Sequence, residues 1–442
     1  MAGFDGSIRA PGVRECGRDR RRRTPVRLQR GTLANPRQNM TPTSFEMQRS
    51  FRGEERPLRV GVVCDYAEER WPSMDLFGEL HTQHLRDYGS RRLEVTQICP
   101  PFRRGLTKLK TLGGNRDAFA IDRAVNRLWL YPRFVRRQYR RFDVFHLMDH
   151  SYSQLVHSAP AGRTVVTCHD LDTFRCLLEP EREKRSLPFR LMTARILDGF
   201  KRAALVVCVS RWTFQQVLRH RLVPPERLTI VPLGAAPEFN PCPDAAADTE
   251  SARLLDLNGV ARAKYLLHVG SVVPRKRIDV LLKTFAIVKS QMPWLHLVRV
   301  GGEFDESQQK LLADLSISDA IAVVPMVSRR VLASLYRAAA ALILPSEREG
   351  YGLPMVEAMA CGTPVIASDL TVLREIGEDA AQYCDVGDCE SWSNAVLRVL
   401  HEDRARSPQA AARRSRGIRL ASRRSPERYA ERMLDIYRAL GS

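Results

Sequence analysis

Twelve short apolar runs constrain this chain more than any other feature. The first, LRVGVVCDY from Leu58, is followed by RLEVTQI (92–98), DVFHLM (143–148), RTVVTC (163–168), ALVVCVS (204–210) and LTIVPLG (228–234). After a Pro/Asp/Ala-rich stretch at 236–262 the series restarts with KYLLHVGS (264–271), then LHLVRVGG, AIAVVPMV, AALILPS, TPVIASD and AAQYCDV. Runs that are β-branched without polar alternation read as strands buried on both faces. Helical patterns lie between most of them. SRWTFQQVLRH opens with Ser210 as an N-cap. IDVLLKTFAIVKSQ sets Ile278, Leu281, Phe285 and Val288 on one face. SPERYAERMLDIYRAL carries Pro426 in its first turn. Strand–helix alternation, run twice, predicts two doubly wound, Rossmann-like α/β domains with ligands in the cleft between them. The expected organisation is a disordered basic tail at 1–57, a first domain at 58–235, a linker at 236–262 and a second domain at 263–420. A final helix at 425–440 is expected to pack back on the first domain.

The formal net charge of +20 points to an anionic partner: nucleic acid, an acidic membrane surface or a phosphorylated substrate. Residues 1–57 hold 13 Arg against 6 acidic residues, and a second stretch, Arg404 to Arg424, holds eight Arg and no acid. The ten cysteines form no CxxC pair, and several, such as Cys64, Cys168 and Cys208, sit inside apolar runs. They read as small buried hydrophobes in a reducing compartment. No apolar stretch is long enough to span a bilayer, and the N-terminus has no signal-peptide core, so a cytoplasmic protein is expected.

The richest local pattern is EREGYGLPMVEAMACGTPVIASD, from Glu347 to Asp369. AALILPS is the strand, Glu349 to Leu353 the loop at its carboxyl end, and MVEAMAC a short helix with Pro354 at its start. Gly362 ends that helix. Helical side chains tilt toward the helix start, so Glu357 reaches back toward the loop that holds Glu349. Gly350 and Gly352 let backbone approach a ligand closely. A carboxylate has two acceptor oxygens and matches the vicinal hydroxyls of a sugar. Two isolated glutamates could equally serve a helix dipole.

With its glycine–aromatic–glycine–Leu–Pro loop between two glutamates, EGYGLPMVEAMACGTPVIASD resembles the signature of family 4 glycosyltransferases, the retaining enzymes of GT-B fold. The resemblance extends more loosely from about residue 58 to the end. It implies that Glu349 and the amides of Gly350, Tyr351, Gly352 and Leu353 hold the donor sugar, and that Glu357 holds the nucleotide ribose. In HVGSVVPRKRIDVLL, Arg275 and Lys276 occupy a strand-to-helix loop, where a diphosphate needs cations. Family members use an Arg and a Lys there. Some place the Arg directly after the strand's glycine, a position held here by Ser271, and Arg277 is a substitute in reserve. His169, ending the strand VVTC, matches a family histidine that contacts the donor sugar or its phosphate. Gly301, in VGG, fits a close-approach loop beside the nucleotide.

His146, Asp149 and His150 in HLMDHS either shape an acceptor site or cap locally. The first strand lacks the paired glycines many family members have after it and carries Trp71-Pro72-Ser73 instead. The resemblance therefore implies a retaining transfer of a hexose from a nucleotide-diphospho sugar, a co-substrate and not a cofactor, to a hydroxyl of a glycan, lipid-linked or small-molecule acceptor. No metal is expected, because protein cations bear the diphosphate charge, and peripheral contact with anionic membrane is expected if the acceptor is lipid-linked. The alternatives are another GT-B activity, an epimerase or phosphorylase, and a basic nucleic-acid-binding protein. GxGxxG after the first strand and GxxxxGK[ST] are both absent. No nucleic-acid partner is expected.

Overall fold

The twelve runs form twelve strands. In the computed structural model, which describes residues 56–89, 92–108, 116–260 and 263–441, they are β1 (Leu58–Val63), β2 (Leu93–Ile98), β3 (Val144–Leu147), β4 (Thr164–Cys168), β5 (Leu205–Cys208) and β6 (Leu228–Ile230), then β7 (Tyr265–Val269), β8 (His296–Val300), β9 (Ile321–Val324), β10 (Ala341–Leu344), β11 (Val365–Ser368) and β12 (Ala381–Cys384). All pair in parallel, in two six-stranded sheets of order β2-β1-β3-β4-β5-β6 and β12-β11-β10-β7-β8-β9. Every residue of β3, β4, β10 and β11 is buried, as strands covered by helices on both faces must be. Residues 1–55, most of the expected basic tail, lie outside the described residues.

Strand order reverses between β1 and β3 in the first sheet and between β7 and β10 in the second. At such a switch point the loops leaving adjacent strands diverge, and a crevice opens beyond their carboxyl ends. In the second sheet those two loops carry Arg275-Lys276 and Glu349-Gly350, so topology alone brings the two strongest motifs together.

The helix Ile278–Gln291 buries Ile278, Leu281, Phe285 and Val288 together. Ser210 caps Arg211–Arg219 by accepting from the Thr213 amide. The last helix, Pro426–Gly441, lies against Pro72–Gly89 and the first sheet. A buried polar chain holds it there. Tyr429 and Tyr437 bond to His81 at 2.6 and 3.0 Å, Tyr437 also bonds to His146 at 2.6 Å, and His146 reaches Thr167 at 2.8 Å. Burial pushes the His146 imidazole down to about 3, so it stays neutral and can accept one bond while donating the other. His146 is therefore a fixture of the helix docking and does not line an acceptor site.

Two other expectations change. Inside 236–262, read as a linker, Ala245–Leu257 is a helix capped by Asp244. It packs on Arg329–Ala338 through a Ser251–Ser334 hydrogen bond of 2.7 Å and the ion pairs Arg330–Asp244 and Arg337–Asp248. Half of the basic stretch Arg404 to Arg424 is neutralised in place: Arg413 pairs with Glu402, Arg414 with Asp403, Arg416 with Asp379 and Arg423 with Glu378, the first three from its helix, Pro408–Ser422. The described cysteines are all free thiols.

Candidate functional site

Lys276 and Glu349 meet at the switch point of the second sheet, Nζ to Oε1 at 2.6 Å. Arg275 stands 3.6 Å from the other carboxylate oxygen, and Ser346 Oγ donates to Oε1 at 2.8 Å. The Glu347 amide donates to the Arg275 carbonyl at 2.9 Å, so the two loops are also tied through backbone. Burial works against the charge on Glu349, but Lys276, Arg275 and the hydrogen bonds hold its carboxyl below the usual range. Arg275 keeps 30% of its side chain exposed, whereas Lys276 keeps 11%. Arg277, the reserve cation, is spent elsewhere: its guanidinium forks onto Asp279 with two 2.9 Å bonds.

Two buried basic residues unmarked in the sequence reading stand behind this pair. Arg299, fully buried on β8, donates to the Gly270 carbonyl at 3.0 Å and to the Gly302 carbonyl. It has no carboxylate within ion-pair distance among the described residues, and burial pushes its guanidinium down to about 10. His268 on β7 is buried with both ring nitrogens lacking hydrogen-bond partners, and burial, Arg299 and Lys276 keep it neutral. Gly301 has φ 139° and sits where a Cβ would lie 2.1 Å from the Gly270 carbonyl oxygen. Its close approach is thus between the ends of β7 and β8, which Arg299 pins together.

Glu357 sits in Leu353–Ala360, a helix that begins one residue earlier than expected, so that Leu353 belongs to its first turn. The Tyr336 hydroxyl donates to Glu357 Oε2 at 2.9 Å, and the residue is 3% exposed. Glu349 and Glu357 are thus held by different partners. Burial pushes the Glu357 carboxyl up to about 8, against the pull of Tyr336 and Arg329. A folded value above the unfolded one means stability that is present below the unfolded value near 4.5 and lost as pH rises through about 8. Glu357→Gln should therefore gain on wild type by roughly 2–3 kcal/mol between pH 6 and pH 9. Denaturant melts across that range check this, and parallel curves would remove Glu357 as the titrating group.

The loop between the glutamates is built for contact between domains. Gly350 packs on the end of β4 so closely that a Cβ would lie 2.0 Å from the His169 carbonyl oxygen. Its own carbonyl accepts from Ser210 Oγ at 3.0 Å, and Thr213 Oγ1 donates to the His169 carbonyl at 3.1 Å. Tyr351, assigned through its amide, has its ring buried in the core shared by the two domains, and its hydroxyl donates to the Leu233 carbonyl at 2.5 Å. It latches the domains, and its side chain offers no face to a sugar. Gly352 has φ 102°, which frees the turn into the helix. Arg348 pairs with Asp172 at 3.1 Å, and Glu375 accepts from the Arg211 and Trp212 amides at 2.8 and 3.0 Å, capping a helix of the other domain.

His169 lies on the first-domain side of this contact. Its Nε2 is 2.7 Å from the Met148 carbonyl, which can only accept, so Nε2 carries the proton and Nδ1 is the acceptor. Phe77 packs edge-on at 4.5 Å, and burial pushes the imidazole down despite Asp149. Asp149 caps the turn His150–Ser158 by accepting from the Ser151 amide at 2.7 Å. A cavity of about 360 Å³ opens across the cleft, lined by Asp172, Arg175, Trp212, Arg275, Arg348 and Glu349 among others. Among the described residues no His/Cys/Asp/Glu group is arranged to hold a metal, and no helix is long and apolar enough to cross a membrane.

Two parallel six-stranded domains meeting at their strand ends, with the motif loops in the cleft, define a GT-B glycosyltransferase fold. Solved structures agree. HepE of Anabaena, in complex with UDP and glucose, superposes with a TM-score of 0.64 at 15% identity, covering 86% of this chain and 99% of that one. Sucrose-phosphate synthase of Thermosynechococcus elongatus does so at 0.61 and 20% identity, covering 87% and 99%. The model for glycosyl transferases group 1 matches residues 258–416, and that for glycosyltransferase family 4 matches 78–239. The chain belongs to the group 1, family 4 glycosyltransferases. It is 27% identical over 325 residues to O-antigen chain mannosyltransferase B of Escherichia coli, spanning 70% of this chain and 82% of that protein. It is 34% identical over 239 residues to the D-inositol 3-phosphate glycosyltransferase of Kineococcus radiotolerans, spanning 48% of this chain and about half, 52%, of that one.

Proposed function

We propose that this chain transfers a hexose from a nucleotide-diphospho sugar to a hydroxyl of a glycan, lipid-linked or small-molecule acceptor, with retention at the anomeric carbon and without a metal ion. The observation that carries this reading is the cluster of Lys276, Arg275 and Glu349 at the switch point of the second sheet. Two basic side chains, Lys276 and Arg275, converge there on one carboxylate. Those three side chains carry one positive charge in excess, and a diphosphate would pair with it. That surplus of fixed cations performs the charge neutralisation a metal would otherwise provide.

In the proposed step the bond between the anomeric carbon and the diphosphate oxygen breaks, and the acceptor oxygen bonds to the same face of that carbon. The acceptor proton passes to the departing phosphate oxygen. Arg275 and Lys276 stabilise the charge that grows on this oxygen. Glu349 and the loop amides orient the sugar, and Glu357 takes the ribose hydroxyls once it releases its proton or its bond from Tyr336. His169, neutral with Nδ1 as an acceptor, takes a sugar hydroxyl and does not act as a phosphate cation. The residues Tyr351 and Gly350 keep the cleft closed so that water is excluded while the bonds exchange.

A thermal-shift series over UDP-, GDP- and ADP-sugars tests the reading. One member should raise the melting temperature by a few degrees at saturating concentration, since a ligand bound only by the folded state stabilises it. No shift with any nucleotide sugar or nucleoside diphosphate would contradict the proposal.

A further inference from the structure

The helix Arg116–Val125 and its π-helical continuation Asn126–Leu130 are amphipathic the wrong way round for a soluble protein. The inward face holds Ala118 and Phe119, which stacks on Phe102, but is anchored by polar side chains. Asp122 accepts from the amides of Leu106 and Thr107 at 2.9 and 3.0 Å, and Asn126 exchanges hydrogen bonds with the Arg103 backbone at 2.8 and 2.7 Å. The outward face is apolar: Ile121 is 51% exposed, Val125 46%, Leu128 37% and Trp129 58%. Their spacing of i, i+4, i+7 and i+8 makes one stripe. A helix normally buries such a stripe against its own core, and here the core side is satisfied by buried hydrogen bonds instead.

Basic residues follow directly. Between Asp122 and Asp143 the chain has seven Arg and no acidic residue. Arg133, Arg136, Arg137, Arg140 and Arg141 are exposed, and none of the five forms an ion pair among the described residues. This contrasts with the neutralised helix Pro408–Ser422. Arg133 lies 3.8 Å over the Trp129 ring, so charge and apolar stripe are continuous. On the inner side of the same helix, Arg127 reaches Glu69 at 3.2 Å, in the loop after β1. The stripe is therefore mounted beside the switch point of the first sheet.

We propose that residues 116–141 dock on an anionic lipid bilayer, with Ile121, Val125, Leu128 and Trp129 entering the headgroup boundary and the arginines on the lipid phosphates. Apolar side chains on one face with flanking arginines are the chemistry that an interfacial helix uses. The consequence is that the first domain's cleft mouth is held at the membrane surface, where a lipid-linked acceptor would be presented. The bilayer contact does not depend on the glycosyl-transfer reading.

The test is co-sedimentation of the full chain with vesicles of phosphatidylcholine alone and of phosphatidylcholine with phosphatidylglycerol. Wild type should pellet with the anionic vesicles and stay in solution with the neutral ones. Arg136→Gln, Arg137→Gln and Arg140→Gln should each lower the partition coefficient roughly fivefold, and the pair Leu128→Gln with Trp129→Gln should abolish pelleting. The melting-temperature shift given by a nucleotide sugar should be unchanged in all of them, which separates loss of docking from loss of folding. Equal pelleting with both vesicle types, or variants that pellet like wild type, would overturn the proposal. So would a lipid-free dimer, seen by light scattering, that the Leu128/Trp129 pair dissociates, because the stripe would then belong to a second copy.

Discussion

Lys276→Ala is expected to fold and to lose about two to three orders of magnitude in sugar transfer. The loss follows from position. Lys276 is the cation closest to Glu349 and is largely buried, so its charge is poorly screened by water. Arg275 lies a further ångström away and is more exposed, so it cannot fill the same place. Removing the lysine also leaves Glu349 buried with a longer, weaker partner, which should raise its carboxyl pKa. A melting curve separates the chemical effect from unfolding. Wild-type turnover in a folded variant would remove Lys276 from the machinery.

Gly350→Ala is expected to be at least as damaging, through geometry. A Cβ would stand 2.0 Å from the His169 carbonyl oxygen and 2.8 Å from its carbon, and both atoms are backbone. A flexible side chain could swing away, but here the loop or the whole domain contact must move. That contact carries the hydrogen bonds from Ser210 and Thr213 to the Gly350 carbonyl and lies beside the Tyr351 latch. The cost should reach the upper end of overpacking, about 3 kcal/mol, and scattering should show a more open molecule with little transfer. Gly302→Ala is the control, because its Cβ would meet nothing within 4 Å. A compact, active Gly350→Ala variant would mean that the interdomain contact is not needed for transfer.

The strands were legible because their burial is written locally: a β-branched run without polar alternation has no exposed face. The meeting of Arg275-Lys276 with Glu349 was legible for a related reason, since both motifs end strands. What local pattern could not show is pairing across long separations. Tyr351 finds Leu233 118 residues away, Tyr437 finds His146 291 away, and Glu375 caps a helix 164 residues earlier. An aromatic in a glycine-rich loop looks like a ligand platform until its buried partner is known. Arg299 was missed because an arginine amid LHLVRV reads as an outward position, although it is fully buried. The helix Ala245–Leu257 did leave a signal, Asp244 ahead of an alanine run, but the prolines and aspartates around it argued for a linker.

In the proposed complex a diphosphate occupies the place between Lys276 and Arg275. Calorimetric titration of wild type and Lys276→Ala with a nucleoside diphosphate and the matching monophosphate measures this directly. Wild type should bind the diphosphate at least about tenfold more tightly, as one added charge-assisted contact of some 1.5–3 kcal/mol requires, and the variant should lose that preference. Equal affinity for the two nucleotides in wild type, or an undiminished preference in the variant, would contradict it.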